Sequence, residues 1–153
     1  MRQLDQPDYE ETLESATGWL ARRDYSEHEL REKLRAHGST AATLEAVVQR
    51  LREGGFVDDL QLATRLVEQS AGTKGKRRIR LELEKRGVAE EASNSALSAL
   101  SDELEIDQAK RMLQERFAGS SDAGRAARLL ARLGFEEEVV QTAIEEHFEL
   151  LDS

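Results

Sequence analysis

The chain has no cysteine, one proline and only 5% aromatic residues among its 153 positions. The lack of cysteine excludes disulfides and thiolate metal sites and fits a reducing cytosol, although a secreted chain without disulfides would look the same. No apolar run approaches the roughly 20 residues that span a bilayer, and no basic segment followed by an apolar one opens the sequence as in a secretory signal. A soluble, cytoplasmic protein without membrane contact is expected. The β-branched and aromatic residues that favour sheets are scarce. Positive charge is in short supply too: the formal net charge of −9 argues against affinity for nucleic acid over the whole surface, so any such contact must be local.

Leu, Ala, Glu and Arg are abundant, and 35% of residues are charged, a composition of solvated helices. Apolar residues recur at helical spacing almost throughout, and the pattern breaks at glycine-containing turns that read as helix C-caps needing positive φ. Nine helices are predicted, and the fold class is all-α. Ser26 with Glu29 and Asp58 with Gln61 have the spacing of capping boxes. Inward stripes are expected at Leu30 and Leu34, at Leu60, Ala63, Leu66 and Val67, at Ile79 and Leu83, and at Leu104, Ala109, Met112, Leu113 and Phe117. The serine-rich helix around Ala92–Leu100 has the weakest stripe.

Three segments repeat with a period close to 48 residues, anchored on Gly38, Gly87 and Gly134. Eight and four residues before these glycines stand Leu30 and Leu34, Ile79 and Leu83, Ala126 and Leu130; ten residues after them stand Val48, Leu97 and Ile144. The expectation is three tandem three-helix repeats, 8–55, 56–100 and 101–151, forming an elongated, curved array suited to an extended partner.

The chemistry-bearing feature is a run of cations, Lys74, Lys76, Arg77, Arg78, Arg80, Lys85 and Arg86, offset by Glu82 and Glu84 to a local balance of +5, which leaves −14 for the other residues. With Ile79 and Leu83 inward, Arg77, Arg78 and Lys85 face out. A helix C-terminus accounts for Lys85 and Arg86, but cations at the N-terminal end oppose the helix dipole, so a binding role is expected for the run. Acidic protein and DNA phosphate are both candidate targets. Asp58 and Asp59 read as N-capping residues, not as a catalytic or Mg²⁺-binding pair, because adjacent side chains diverge. His28, His37 and His147 lie in different helices and read as surface or helix-end residues. Gly72-Thr73-Lys74-Gly75-Lys76 fails as a phosphate loop, since Ser70 and Arg77 occupy positions that need Gly and Ser or Thr. Trp19 and Tyr25 could stack on a base, but the spacing of Trp19 from Leu13 and Ala16 favours the core. No metal, cofactor or catalytic residue is assigned.

The segment Gly55-Phe56-Val57-Asp58-Asp59 with Leu60, Ala63 and Val67, then Gly75, Ile79, Leu83, Lys85, Gly87 and Val88, resembles the central signature of the RecX family. Tyr25-Ser26-Glu27-His28-Glu29-Leu30 with Lys33, Leu34 and Gly38 is similar to its N-terminal motif. The resemblance runs from about Leu13 to Phe148 and weakens in the third repeat. It implies a non-enzymatic cytoplasmic regulator of three-helix repeats, in which Asp58, Asp59 and Gly87 are structural motif residues. Such a protein binds the groove of the RecA–DNA filament and inhibits recombination, ATPase and coprotease activities in DNA repair and the SOS response. The family commonly has an aromatic residue and a proline in the turn before the basic helix, where this chain has Lys74 and Lys76, which makes the contact surface more electrostatic. A monomer is expected, with a weak direct DNA contact through the basic helix. The alternative is a helical-repeat adaptor for another acidic protein, without a role in recombination; an independent DNA-binding regulator is disfavoured by the −14 remainder.

Overall fold

The computed structural model describes residues 8–151, and among them the only regular elements are helices: α1 (Tyr9–Arg22), α2 (Glu27–Ala36), α3 (Ala41–Glu53), α4 (Asp59–Ser70), α5 (Lys76–Lys85), α6 (Glu90–Leu97), α7 (Asp102–Phe117), α8 (Ala123–Arg132) and α9 (Glu137–Leu151). The all-α reading holds. Most starts are written locally. Ser26 and Glu29 close a complete capping box on α2, and Asp8, Thr40, Asp58, Ser101 and Asp122 each accept a backbone N–H from the first turn of their helix. Five glycines, Gly38, Gly55, Gly72, Gly87 and Gly134, have positive φ after helix ends. Gly119 does not, so the turn between α7 and α8 is made otherwise.

The chain divides into two compact units, Met1–Ala63 with Leu83–Ser93, and Thr64–Glu82 with Asn94–Ser153. In the first, α1, α2 and α3 pack on one another around Ala16, Leu30, Leu34, Val47, Val48 and Leu51. Trp19 packs on the edge of this core, as its spacing indicates. In the second, α7, α8 and α9 pack around Leu113, Phe117, Leu130, Phe135, Val139 and Ala143. Helices α4, α5 and α6 each contribute one end to each unit.

Three side chains depart from the sequence pattern. Leu60 and Leu104, expected inside, are 46% and 39% exposed, because each lies in the first turn of its helix on the side away from the core. Leu62 is buried in α4 instead. His147, expected on the surface, is buried with its ring edge-on to Phe148, one turn on from the buried Ala143.

Within each unit the start of a middle helix is seated on the end of the next repeat's middle helix. In the first unit Ser26 Oγ donates to Arg86 O (2.5 Å), and Gly87 lies against His28, where a Cβ would come within 2.5 Å of the imidazole. In the second, Gly75 N donates to Leu133 O (2.8 Å) and Arg77 N to Gly134 O (3.0 Å), while a Cβ on Gly134 would overlap Arg78 and one on Gly75 would overlap the Gly134–Phe135 peptide. Ser26 and Gly75 both immediately precede a middle helix; Arg86 and Leu133 both immediately precede an anchor glycine. The glycine is required at these joints by close approach as well as by φ.

A carboxylate completes each joint. Asp59 Oδ1 accepts from Glu27 N (2.9 Å), and Asp59 Oδ2 from Ala89 N (2.9 Å), so Asp59 holds the starts of α2 and α6. This corrects the view of Asp58 and Asp59 as two caps of one helix. Only Asp58 caps α4, through Gln61 N (3.1 Å). In the second unit Glu105 Oε1 accepts from Lys76 N (2.7 Å) in the same way.

Replacement of Asp59 by Ala strands two backbone donors, and by Asn keeps an acceptor for only one. Asp59→Ala should therefore destabilise by about 2–4 kcal/mol, Asp59→Asn by about half of that, and Asp58→Ala by about 1 kcal/mol in urea unfolding. Equal costs at positions 58 and 59 would contradict this assignment.

Candidate functional site: the basic helix α5

The seven cations singled out in the sequence divide between the two units. Lys74, Lys76, Arg77, Arg78 and Arg80 belong to the second unit, Lys85 and Arg86 to the first. Arg86 is committed to structure: its guanidinium bonds Glu29 Oε1 (2.9 Å), Glu29 Oε2 (3.2 Å) and Asp24 O (2.9 Å). Burial works against the Glu29 charge, but the Arg86 guanidinium and the Ser26 N–H outweigh it, and the carboxyl is held below its ordinary range. Arg86 is thereby a clamp on α2. Lys85 is exposed.

In the second unit Lys74 Nζ pairs with Glu82 (2.7 Å), Arg78 Nε lies 3.9 Å from the same carboxylate, and Arg80 donates to Asn94 Oδ1 (2.8 Å). The outward positions inferred from helical spacing are observed: Arg77 and Arg78 are exposed. Arg77 Nη2 stands 3.4 Å from the carbonyl of Ala131, near the end of α8, where a cation suits the helix dipole. The cations with capacity for a partner are therefore Lys76, Arg77 and Arg78, three consecutive residues in the first turn of α5.

Cations in a first turn oppose the helix dipole, and the structure supplies the compensation that the sequence pattern lacked. Glu105, 1% exposed, brings its carboxyl from α7 onto Lys76 N. Burial raises the Glu105 pKa, partly countered by the Lys76 N–H and ammonium and reinforced by Glu136 and Asp102. Its second oxygen has no protein partner. The backbone N–H groups of Gly75, Lys76 and Arg77 are all consumed by Leu133 O, Glu105 and Gly134 O, so the glycine-lysine turn has no open cradle for phosphate, in agreement with the failed motif. Among the described residues no group of His, Asp or Glu has metal-binding geometry, and no helix is long and apolar enough to cross a membrane.

A second concentration of positive charge escaped the sequence reading. Arg116 of α7 and Arg125 and Arg132 of α8, with Ser120, Phe117 and Leu129, line a concavity of about 290 Å³ in the second unit. They are spread over 17 positions of an acidic chain, and only the α7–α8 packing collects them.

Because Glu105 has a raised folded pKa, it loses its proton at lower pH in the unfolded chain than in the folded one. Its contribution to stability thus falls as pH rises from the ordinary carboxylate range through the folded pKa. Glu105→Gln keeps the acceptor for Lys76 N and cannot ionise. Its stability relative to the parent should climb across that window and then level off in urea midpoints taken against pH; a constant difference would refute the assignment. Glu105→Ala, which strands the Lys76 N–H, should cost about 1–3 kcal/mol.

Comparison with known proteins agrees with this architecture. Residues 13–51 match the first three-helix domain of RecX and residues 58–97 the second, spans that take in most of α1–α3 and all of α4–α6. Regulatory protein RecX of Xanthomonas axonopodis pv. citri (strain 306) is 36% identical over 137 residues, 86% of this chain and 84% of that protein. Regulatory protein RecX of Leptothrix cholodnii is 32% identical, covering 84% of each. The crystal structure of RecX from Lactobacillus salivarius superposes with a TM-score of 0.82 at 22% identity, over 92% of this chain and 96% of that one. With a shared signature, matching three-helix domains and relatives aligned over most of their length, the chain belongs to the RecX family of regulatory proteins.

Proposed function

We propose that this protein is a non-enzymatic, cytoplasmic regulator that binds the RecA filament on single-stranded DNA and inhibits its recombination, ATPase and coprotease activities in DNA repair and the SOS response. The observation that carries the reading is family membership over most of the chain, at 36% identity to a regulatory protein RecX. Three tandem repeats, 8–55, 56–100 and 101–151, would supply reach to neighbouring RecA protomers in the filament groove, and a monomer suffices for it.

Contact concentrates at Lys76, Arg77 and Arg78, with Lys85 as a separate exposed cation; Lys74, Arg80 and Arg86 hold the helix in place through Glu82, Asn94 and Glu29. Asp58, Asp59 and Gly87 act structurally, as caps and joint. On a molecule of net charge −9, a local cationic turn orients encounter with a negative surface and keeps the remaining surface away from it.

The test is binding to RecA filaments on single-stranded DNA with nucleotide, followed by inhibition of RecA ATP hydrolysis. The parent should bind and inhibit. Arg77→Glu with Arg78→Glu should weaken binding by roughly ten-fold or more, as two reversed charges at about 1 kcal/mol each imply. If those arginines meet phosphates, the slope of log affinity against log salt should also fall by about 2 units. Absence of filament binding by the parent, in every nucleotide condition, would overturn the reading in favour of an adaptor for another acidic protein.

A further inference from the structure

The concavity between α7 and α8 has properties of a binding site, and no residue of α5 lines it. Arg116, Arg125 and Arg132 line it, all three are exposed, and none forms an ion pair with a described residue. Three like charges gathered around one hollow repel one another, and nothing in the fold needs them there: the helices are held by Phe117, Leu130 and the apolar face behind them. Arg125 and Arg132 stand two turns apart on one face of α8, and both line the hollow. The hollow is also not wholly polar. Phe117 and Leu129, both part of the core packing, form its wall, and Ser120 adds a hydroxyl.

We infer that this hollow binds an acidic peptide segment of a protein partner, one in which a carboxylate is flanked by an apolar residue. The guanidinium fork matches a carboxylate bidentately, and the Phe117–Leu129 wall receives the neighbouring side chain. A volume of about 290 Å³ suits one or two side chains, not a strand. Residues 111–132 have five arginines against Glu115 and Asp122, a balance of +3, whereas the rest of the chain stands at −12. The Phe117–Leu129 wall seats an apolar side chain, which a sugar-phosphate backbone cannot supply. Nucleic acid is the weaker occupant on this ground. The inference is independent of the filament reading, since a peptide site on the second unit would exist whatever α5 contacts.

The experiment uses the full chain and fluorescence anisotropy with four labelled probes: a short peptide of glutamates interspersed with leucine, its glutamine counterpart, its serine-for-leucine counterpart, and an oligothymidylate of equal charge. The glutamate–leucine peptide should bind, and the other three at least several-fold more weakly. Arg125→Gln and Arg132→Gln, at exposed positions and checked for unchanged helix content and melting, should each reduce peptide affinity by about ten-fold, the loss of one charge-assisted pair. The inference is overturned if the peptide does not bind, if the pocket variants bind it as the parent does, or if oligothymidylate binds more tightly and loses affinity in those variants.

Discussion

The structure depends on one recurring joint: the start of a middle helix meeting the backbone at the end of the next repeat's middle helix. It occurs in the first unit between Ser26 and Arg86-Gly87, and in the second between Gly75 and Leu133-Gly134. A first turn leaves backbone donors without intrahelical partners, and a last turn leaves carbonyls likewise. Here the two deficits are set against each other. The fit requires glycine at Gly87 and Gly134, and a carboxylate on the first helix of the next repeat then takes the donor that is left, Asp59 for Glu27 N and Glu105 for Lys76 N.

The joint also fixes the charge distribution of α5. Consecutive cations at Lys76, Arg77 and Arg78 would weaken a free helix through its dipole. Docked, that turn has the N–H groups of Gly75, Lys76 and Arg77 bonded to Leu133 O, Glu105 and Gly134 O, which hold the first turn that carries the cations. At the other end Arg86 is turned inward onto Glu29 and Asp24. One run of basic residues therefore divides into a display and a clamp, each set by the joint beside it.

Much of this was legible in the sequence. Helices declare themselves through local periodicity and caps, and the repeat through glycines at 38, 87 and 134, because those signals are written within one or two turns. The failures share a different cause. Asp58 and Asp59 are chemically identical neighbours, yet their roles differ because Asp59 meets donors 32 and 30 positions away. Arg86 pairs with a residue 57 positions away, and the three arginines of the α7–α8 hollow are collected by packing alone. Leu60 and Leu104 misled because a first turn has solvent on one more side than the turns that follow it. Charge averaging hid the rest: a sum of −14 outside the α5 run conceals a local +3 over residues 111–132.

The residues that carry the family resemblance acquire a physical meaning from the joint. Asp58 and Asp59 cap, Gly75 and Gly87 permit close approach, Ile79 and Leu83 are fully buried, and Val88 bonds back to Leu83 O (3.1 Å). These are the parts that build and join repeats. Lys76, Arg77 and Arg78, with Arg116, Arg125 and Arg132, lie outside that set, and they are exposed or half-buried at positions the joint leaves open. An architecture that spends its glycines and carboxylates on joints leaves the outward face of each helix free to vary without cost to the fold. The signature identifies the scaffold for that reason, and the exposed cations stand outside it.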